Sequence, residues 1–386
     1  MSRTHPPADR QGGPVRVESA RAYLLRMPLK DPWKTSFGAQ PDITTVLVRL
    51  TGEGQSGWGE ATPGTWPLFC GDWGRPTYAL VSEYLLPRLV GAETGGYDGL
   101  AGLLSGIREN TFAKAAVETA WWALRGAIEG RPLSHYTGGT RPAVLAGADF
   151  DLHTDTDVLV AKVGAALGSG CPRVKLKVGR QTEISQLREV RKAFPDATLH
   201  VDCNAGFTRE DFDHLALLDP LGLAMIEQPL PKDDFLGHAA LQRRLATPVC
   251  LDESVQSLHH LELALELGSC RFVSVKPGRV GGLRDAVEIG ELAGREGIGA
   301  VVGNMLESPV GAQLCLALAS CDWATYPADL FPAGRFFRRS LAAEDIAPPG
   351  GEGWEFTVPR TPGNPAVPLD DVLSRWLVAD SGEVTR

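Results

Sequence analysis

No run in this 386-residue chain is long and apolar enough to span a membrane, and Met1 to Val15 are polar and rich in proline and glycine, unlike a secretory signal. The expectation is a cytoplasmic protein with a disordered extension over residues 1–15. Cysteine is sparse and unpatterned. The seven (Cys70, Cys171, Cys203, Cys250, Cys270, Cys315 and Cys321) are an odd number without a Cys-x-x-Cys pair, and several sit inside apolar runs as small hydrophobes do. Neither a disulfide framework nor a zinc site is indicated. A basic surplus is missing too: 38 Lys and Arg stand against 47 Asp and Glu, a formal charge of −9. The scattered basic residues form no stripe, which argues against a nucleic-acid partner. What the chain does have is apolar content, 43% hydrophobic residues, enough for one barrel-sized domain and a smaller companion.

The texture changes near residue 140. Residues 16–140 begin with extended runs, "RVESARAYLLRMPL" and "TTVLVRLTGEGQSGWGEA", the second broken by a Gly-rich turn as in a hairpin. A helix follows, with Ala115, Ala116, Thr119, Trp122, Ala123 and Ala127 at helical spacing until Gly130 and Pro132 stop it. This stretch reads as a smaller α+β domain. Over residues 141–335 short apolar strands alternate with amphipathic helices such as Leu159, Val163, Ala166, Leu167 and Leu283, Ala286, Ile289, Leu292. The strand candidates are Val144 to Phe150, Arg173 to Val178, Leu199 to Cys203, Leu223 to Ile226, Val249 to Leu251, Phe272 to Val275, Gly299 to Val302 and Trp323 to Tyr326. Eight strands at a steady period predict an α/β fold whose parallel sheet closes into a TIM-like barrel. Residues 336–386 are proline-rich and are expected to run back across the smaller domain.

Charged residues recur once per strand-helix unit: Lys177, Asp202, Glu227, Asp252 and Lys276 follow one another at intervals of 25, 25, 25 and 24 residues, each closing an apolar run. In a parallel barrel such strand ends converge on one mouth. In "VKLKV" the alternation projects Lys175 and Lys177 to one face. Two ammonium groups held together in a partly desolvated pocket disfavour protonation, which predicts a lysine lowered into the range of a general base. Asp202 and Asn204 share a face in "LHVDCNAGF", while "AMIEQPL" and "VCLDES" bring Glu227 and Asp252 to matching positions. Three carboxylates at one mouth repel unless a cation offsets them, and oxygen-only ligands select a hard one, Mg2+ first and Mn2+ second. A lone Asp at a strand end reads more readily as a helix N-cap; three in register do not. Glu253 points elsewhere on the alternation and is expected to pair with the lysines. Lys276, on the sixth strand, faces Lys177 across the cavity. Between them a carboxylate on the metal has its α-proton made more acidic.

The set "VKLKV", "VDCNA", "IEQPL", "LDES", "VSVKPGRVGG" and "GNMLESPVG" resembles the enolase superfamily, muconate-lactonizing subgroup, and within it the o-succinylbenzoate synthase and N-succinylamino acid racemase branch. The resemblance covers about residues 16 to 345 and includes "MPLKDPWKTSFG", whose Ser36 and Phe37 fall in the substrate-covering loop. It implies a (β/α)7β barrel under a capping domain, a small-molecule carboxylate substrate and a homo-oligomer. It also implies a divalent cation on Asp202, Glu227 and Asp252, Lys177 as base, Lys175 as its electrostatic aid and Lys276 opposite. Two reactions share this equipment: dehydration of 2-succinyl-6-hydroxy-2,4-cyclohexadiene-1-carboxylate toward menaquinone, and racemisation of N-acylamino acids, which needs both lysines to exchange protons. Arg279 in "KPGRVGG" matches an arginine of racemase-competent members, and reads equally as a salt-bridged arginine opening a helix.

Where the branch commonly has Gly-Gly-Met-Leu-Glu-Ser, this chain has Gly303, Asn304, Met305, Leu306, Glu307 and Ser308, placing a side chain beside the substrate pocket. Trp66, Phe69 and Trp73 in "GTWPLFCGDWG" are candidate pocket lining, or ordinary packing. Of the Asp-x-Asp that holds an ammonium in dipeptide epimerases only Asp329 remains, after Ala328. A dipeptide epimerase or a muconate cycloisomerase-like enzyme is thus the alternative within the superfamily. An inert barrel that only binds is the alternative outside catalysis.

Overall fold

The computed structural model describes residues 13–36, 38–151 and 155–386. Its first strand, Pro14–Arg16, pairs antiparallel with Glu93–Gly95, so ordered structure begins inside the stretch the sequence assigned to a disordered extension. Residues 1–12 lie outside the described residues. The strands Ser19–Thr35 and Gly38–Gly52 form a long antiparallel hairpin, and Gln55–Ala61 adds to its far edge. Period-2 alternation sends Ala20, Ala22 and Leu24 to one face and Tyr23, Leu25 and Met27 to the other, and both faces are buried. The first face carries the helix Thr111–Glu129, which ends at Gly130 with φ 68°. This contact depends on glycine: a Cβ at Gly57 or Gly59 would stand 2.1 or 2.2 Å from the backbone of Leu124 or Ala120. The second face is covered by Phe337, Leu341, Val372 and Trp376 of the C-terminal segment. That segment also pairs its strands Leu377–Asp380 and Val384–Thr385 with Ser19–Thr35.

Seven parallel strands make the second sheet, in chain order Ala148–Phe150, Val174–Lys177, Leu199–Asp202, Ile226–Glu227, Val249–Leu251, Phe272–Val275 and Gly299–Val302. Each is the neighbour of the next, and helices such as Thr156–Gly168 and Leu283–Arg295 bury their apolar stripes against the outer face. Two strand assignments differ from those read in the sequence. The run Val144 to Phe150 splits: Ala143–Leu145 pairs antiparallel with Glu355–Thr357, and only Ala148–Phe150 joins the barrel. Trp323 to Tyr326 forms no regular strand. The barrel's gap is instead spanned by scattered backbone bonds, Thr325 N to Ala300 O (3.0 Å), Tyr326 N to Ala300 O (3.3 Å) and Asp329 N to Val302 O (2.9 Å) on one side, Ala328 N to Leu145 O (2.9 Å) and Gly147 N to Ala328 O (3.0 Å) on the other. Pro327 in that segment lacks the N–H a ladder needs.

Two carboxylates of the capping domain orient it on the barrel. Glu118 accepts from Leu283 N (2.9 Å) and Arg284 N (3.1 Å) at the start of Leu283–Arg295. Glu60 accepts from Ser308 N (3.0 Å) and Gly311 N (2.7 Å) at the start of Pro309–Ala319. A carboxylate on a helix N-terminus satisfies donors the helix cannot, and in partly buried geometry contributes up to about 2 kcal/mol. The seam between the domains lies beside the barrel mouth, so these contacts also fix what covers it. Among the described residues no helix is long and apolar enough to cross a membrane.

Candidate active site at the barrel mouth

Register alone stacks the charged residues in layers. Lys177, Asp202 and Glu227 are successive partners across three strands, with Cys250 next in the row and Asp252 two residues beyond it. One layer deeper, Asp149, Lys175 and His200 are partners in turn. Arg173, two residues before Lys175, extends the same inward face. Of these, Lys177 is partly exposed and the others are buried. The chain turns sharply just past the strand ends: Asn204, Ala205 and Gln228 have φ of 42°, 55° and 37°. Left-handed non-glycine residues cost on the order of 1–3 kcal/mol each and cluster at functional sites. Gln228 stabilises its turn by accepting from Asp252 N (2.8 Å) and Ser254 N (3.2 Å).

The carboxylates are not a bare cluster. Lys177 Nζ lies 2.5 Å from Asp202, Lys276 Nζ lies 2.7 Å from Asp252, and the Arg279 guanidinium takes the other oxygen of Asp252. Lys175 Nζ is 3.5 Å from Glu227 and 3.8 Å from Asp202. Among the described residues no three His, Cys, Asp or Glu side chains stand gathered as a ready-made cation site. The cage expected of Asp202, Glu227 and Asp252 takes the form of a row of acids on adjacent strands, each tied to a basic partner. Yet the donor set fits a hard divalent cation. It is all oxygen, and Glu227 Oε1, Asn204 Oδ1 (two residues past Asp202) and Glu253 Oε2 (next to Asp252) are buried without a hydrogen-bond partner. Burial opposes charge on Glu227, but Lys175, His200 and Lys276 hold its carboxyl well below the usual range. Burial, with repulsion from Asp202, pushes Glu253 up to about 7. The Asn204 amide lies 3.4 Å from it, and of the lysines Lys276 favours its charged form.

Lys175, the expected electrostatic aid, is held in its charged form. Burial works against its charge, but Asp149, Asp329, Glu227 and Asp202 outweigh that and hold its ammonium well above the ordinary value. Arg279 is buried under Asp252, where it also donates to Val255 O (3.0 Å) and Ser274 O (2.5 Å), so it braces an acid rather than lining the pocket.

Lys175, Lys177, Asn204, Lys276, Asn304 and Met305 line a single pocket. Trp33, Ile43, Trp66, Leu68 and Phe69 of the capping domain form its apolar wall, with Lys276 Nζ 5.0 Å from the centre of the Phe69 ring. Trp73 stacks on Trp66 with ring centres 5.5 Å apart, behind that wall. Asn304 does face the pocket, but its amide is committed to Asp329 O (2.7 Å) and Leu306 N (3.1 Å). Glu307 accepts from Met305 N (2.8 Å), and burial pushes its carboxyl up to about 7. Ser308 caps Pro309–Ala319 and bonds to Glu60, so it serves the domain seam, while Glu307 holds the loop behind Met305. Ser36 donates to Asn204 O (2.8 Å), tying the covering hairpin to the third barrel strand's loop; Phe37 lies outside the described residues.

Gly303 is needed for a different reason from turn geometry. A Cβ there would meet Ser274 Oγ at 2.7 Å and Lys276 Cε at 2.8 Å, so the glycine gives the Lys276 side chain its channel. Gly303→Ala is expected to leave the fold intact and lower kcat by about 10–100-fold, since small displacements of reacting groups are that costly. Steady-state kinetics check this, and wild-type kcat would refute it.

Sequence reading missed Asp149, Arg173 and His200. The period-2 spacing of Arg173, Lys175 and Lys177 carried a signal for the second of these. Nothing local marked Asp149, whose role depends on which strand closes the barrel.

The sequence matches the description "Enolase C-terminal domain-like" over residues 158–371 and "Mandelate racemase / muconate lactonizing enzyme, N-terminal domain" over residues 19–138. It is 37% identical over 332 residues to an N-succinylamino acid racemase of Thermus thermophilus, covering 86% of this chain and 90% of the relative. It is 35% identical over 350 residues to an o-succinylbenzoate synthase of Geobacillus stearothermophilus, covering 90% and 92%. An enolase-superfamily structure from Listeria innocua superposes with a TM-score of 0.90 at 32% identity, covering 96% of this chain and 99% of that one. The layered strand ends and these likenesses agree: the chain belongs to the enolase superfamily, in the group of o-succinylbenzoate synthases and N-succinylamino acid racemases.

Proposed function

We propose that this protein removes a proton α to a carboxylate, acting as an o-succinylbenzoate synthase, an N-succinylamino acid racemase or both. The observation that carries the reading is the placement of Lys177 and Lys276, on the second and sixth strands, in the lining of one pocket above a row of acids. Asp202, Glu227 and Asp252 would hold the cation, Mg2+ or Mn2+, which supplies positive charge beside the substrate carboxylate and makes its α-proton more acidic. Lys177 takes that proton on one face. In racemisation Lys276 returns one to the other face; in dehydration Lys177 hands its proton to the departing hydroxyl while Lys276 stays cationic beside the anion. The capping-domain wall excludes water and seats the rest of the substrate. A dipeptide epimerase is disfavoured, because both oxygens of Asp329 are engaged with Arg173 and Lys175 and leave none for a substrate ammonium.

The test is exchange of the α-proton of N-succinyl amino acids in deuterated water, followed by NMR with and without Mg2+ or Mn2+. Exchange that needs the metal is expected. A folded sample that exchanges nothing with either metal, and does not dehydrate the cyclohexadiene carboxylate, would instead favour the inert barrel.

A further inference from the structure

The deepest charges of the barrel form a closed ring. Asp149 gives Oδ1 to Arg173 (2.6 Å) and Oδ2 to Lys175 (3.1 Å). Asp329 does the same with its own two oxygens, one on Arg173 and one on Lys175. Arg173 is in turn fixed by the carbonyls of Pro327 (3.2 Å), Ala148 (3.3 Å) and Ala328 (2.9 Å), and has no exposed surface. Two cations and two carboxylates thus cancel inside the barrel, with every carboxylate oxygen used. The ring lies at the floor of the pocket, which Asp149, Lys175 and Asp329 line, below the row of acids. One of its members reaches toward that row: the Lys175 ammonium, 3.5 Å from Glu227 and 3.8 Å from Asp202, is farther from both than from its ring partners.

We propose that Asp149 and Asp329 are positioning residues that hold the Lys175 ammonium off the oxygens of Glu227 and Asp202, keeping those oxygens open for a divalent cation. Lys175 is drawn toward four carboxylates, two in the ring and two in the cage. An ammonium is a compact cation that competes for the same lone pairs as Mg2+ or Mn2+ and repels whatever cation remains. Arg173 sets the outcome by anchoring the two ring acids below the cage, so Lys175 is pulled downward. If either ring acid loses its charge, the balance tips and Lys175 moves onto Glu227, whose Oε1 has no partner to give up. This role rests on the reading that Asp202, Glu227 and Asp252 hold the cation.

The test is Mn2+ titration of the full-length protein, followed by the EPR signal of the free ion, in wild type, Asp329→Asn, Asp149→Asn and each Asn variant combined with Lys175→Met. Each single Asn variant is expected to bind Mn2+ about 10–100-fold more weakly, the range seen when groups behind metal ligands are altered. Lys175→Met in the same background is expected to recover most of that loss, which general distortion of the barrel would not allow. Unchanged affinity in both Asn variants overturns the proposal, as does equal weakness with and without Lys175→Met. If wild type itself binds no Mn2+, the cage fails and this role with it, an outcome set apart by the wild-type control. The two acids are tested independently, so a variant that does not fold leaves the other to decide.

Discussion

Lys276→Ala and Lys177→Ala are each expected to abolish racemisation, by at least about 10³-fold, while each keeps half of the proton chemistry. The two amines come from opposite strands and line one pocket, so one enantiomer presents its α-proton to Lys177 and the other to Lys276. Lys276→Ala should still exchange deuterium into one enantiomer, and Lys177→Ala into the other, without either converting one into its mirror image. Exchange followed by NMR on each pure enantiomer separates the two cases. The synthase reaction is expected to respond asymmetrically. Lys177→Ala removes the only base and should be inactive, whereas Lys276→Ala loses a cation beside the anion and should fall less far. Full two-way racemisation in either variant would end the two-base assignment. Equal loss of dehydration in both would end the assignment of Lys177 as sole base for that reaction.

Much of this was legible because barrel periodicity is strict. Intervals near 25 residues between charged strand ends survive without knowledge of any contact, so Lys177, Asp202, Glu227, Asp252 and Lys276 could be set at one mouth from spacing alone. Their partners could not. Whether two lysines on one strand face depress each other depends on what else lies within a few ångströms, and for Lys175 that is Asp149 and Asp329, distant in sequence. The contacts of Glu307 and Ser308 are hidden from the sequence for a similar reason. Their motif marks the loop correctly, but Glu60 on a capping strand draws Ser308 into the domain seam. The eighth strand was overread because an apolar run beside a turn resembles a strand until Pro327 and scattered backbone bonds decide the matter.

The largest stability effect is expected at Arg173, a residue with no part in the chemistry. Arg173→Met leaves Asp149 and Asp329 in the barrel interior with one cation, Lys175, between them. Breaking a buried ion network by removing one partner typically costs about 3–5 kcal/mol, because it strands an uncompensated charge. The pH dependence identifies that charge. In the wild type burial opposes ionisation of Asp149, but Lys175, Arg173 and Lys177 prevail and hold its carboxyl down, to about 2. Its pairing therefore stabilises the fold above the unfolded carboxyl range, and that contribution is lost only as pH falls through about 2. In the variant one ring carboxyl loses its guanidinium and is pushed the other way by burial, above the unfolded value. Such a group binds a proton more tightly folded than unfolded, so its penalty is relieved below the unfolded carboxyl range and grows as pH rises toward neutrality. Urea unfolding is thus expected to show a deficit for Arg173→Met that is larger at pH ~7 than at pH ~5, by on the order of 1 kcal/mol or more. Adding Asp149→Asn to Arg173→Met should shrink the deficit and flatten its pH dependence, since the stranded charge is then gone. A deficit that ignores pH, or a double variant worse than the sum of its parts, would mean that Arg173 acts through packing and not through the two acids.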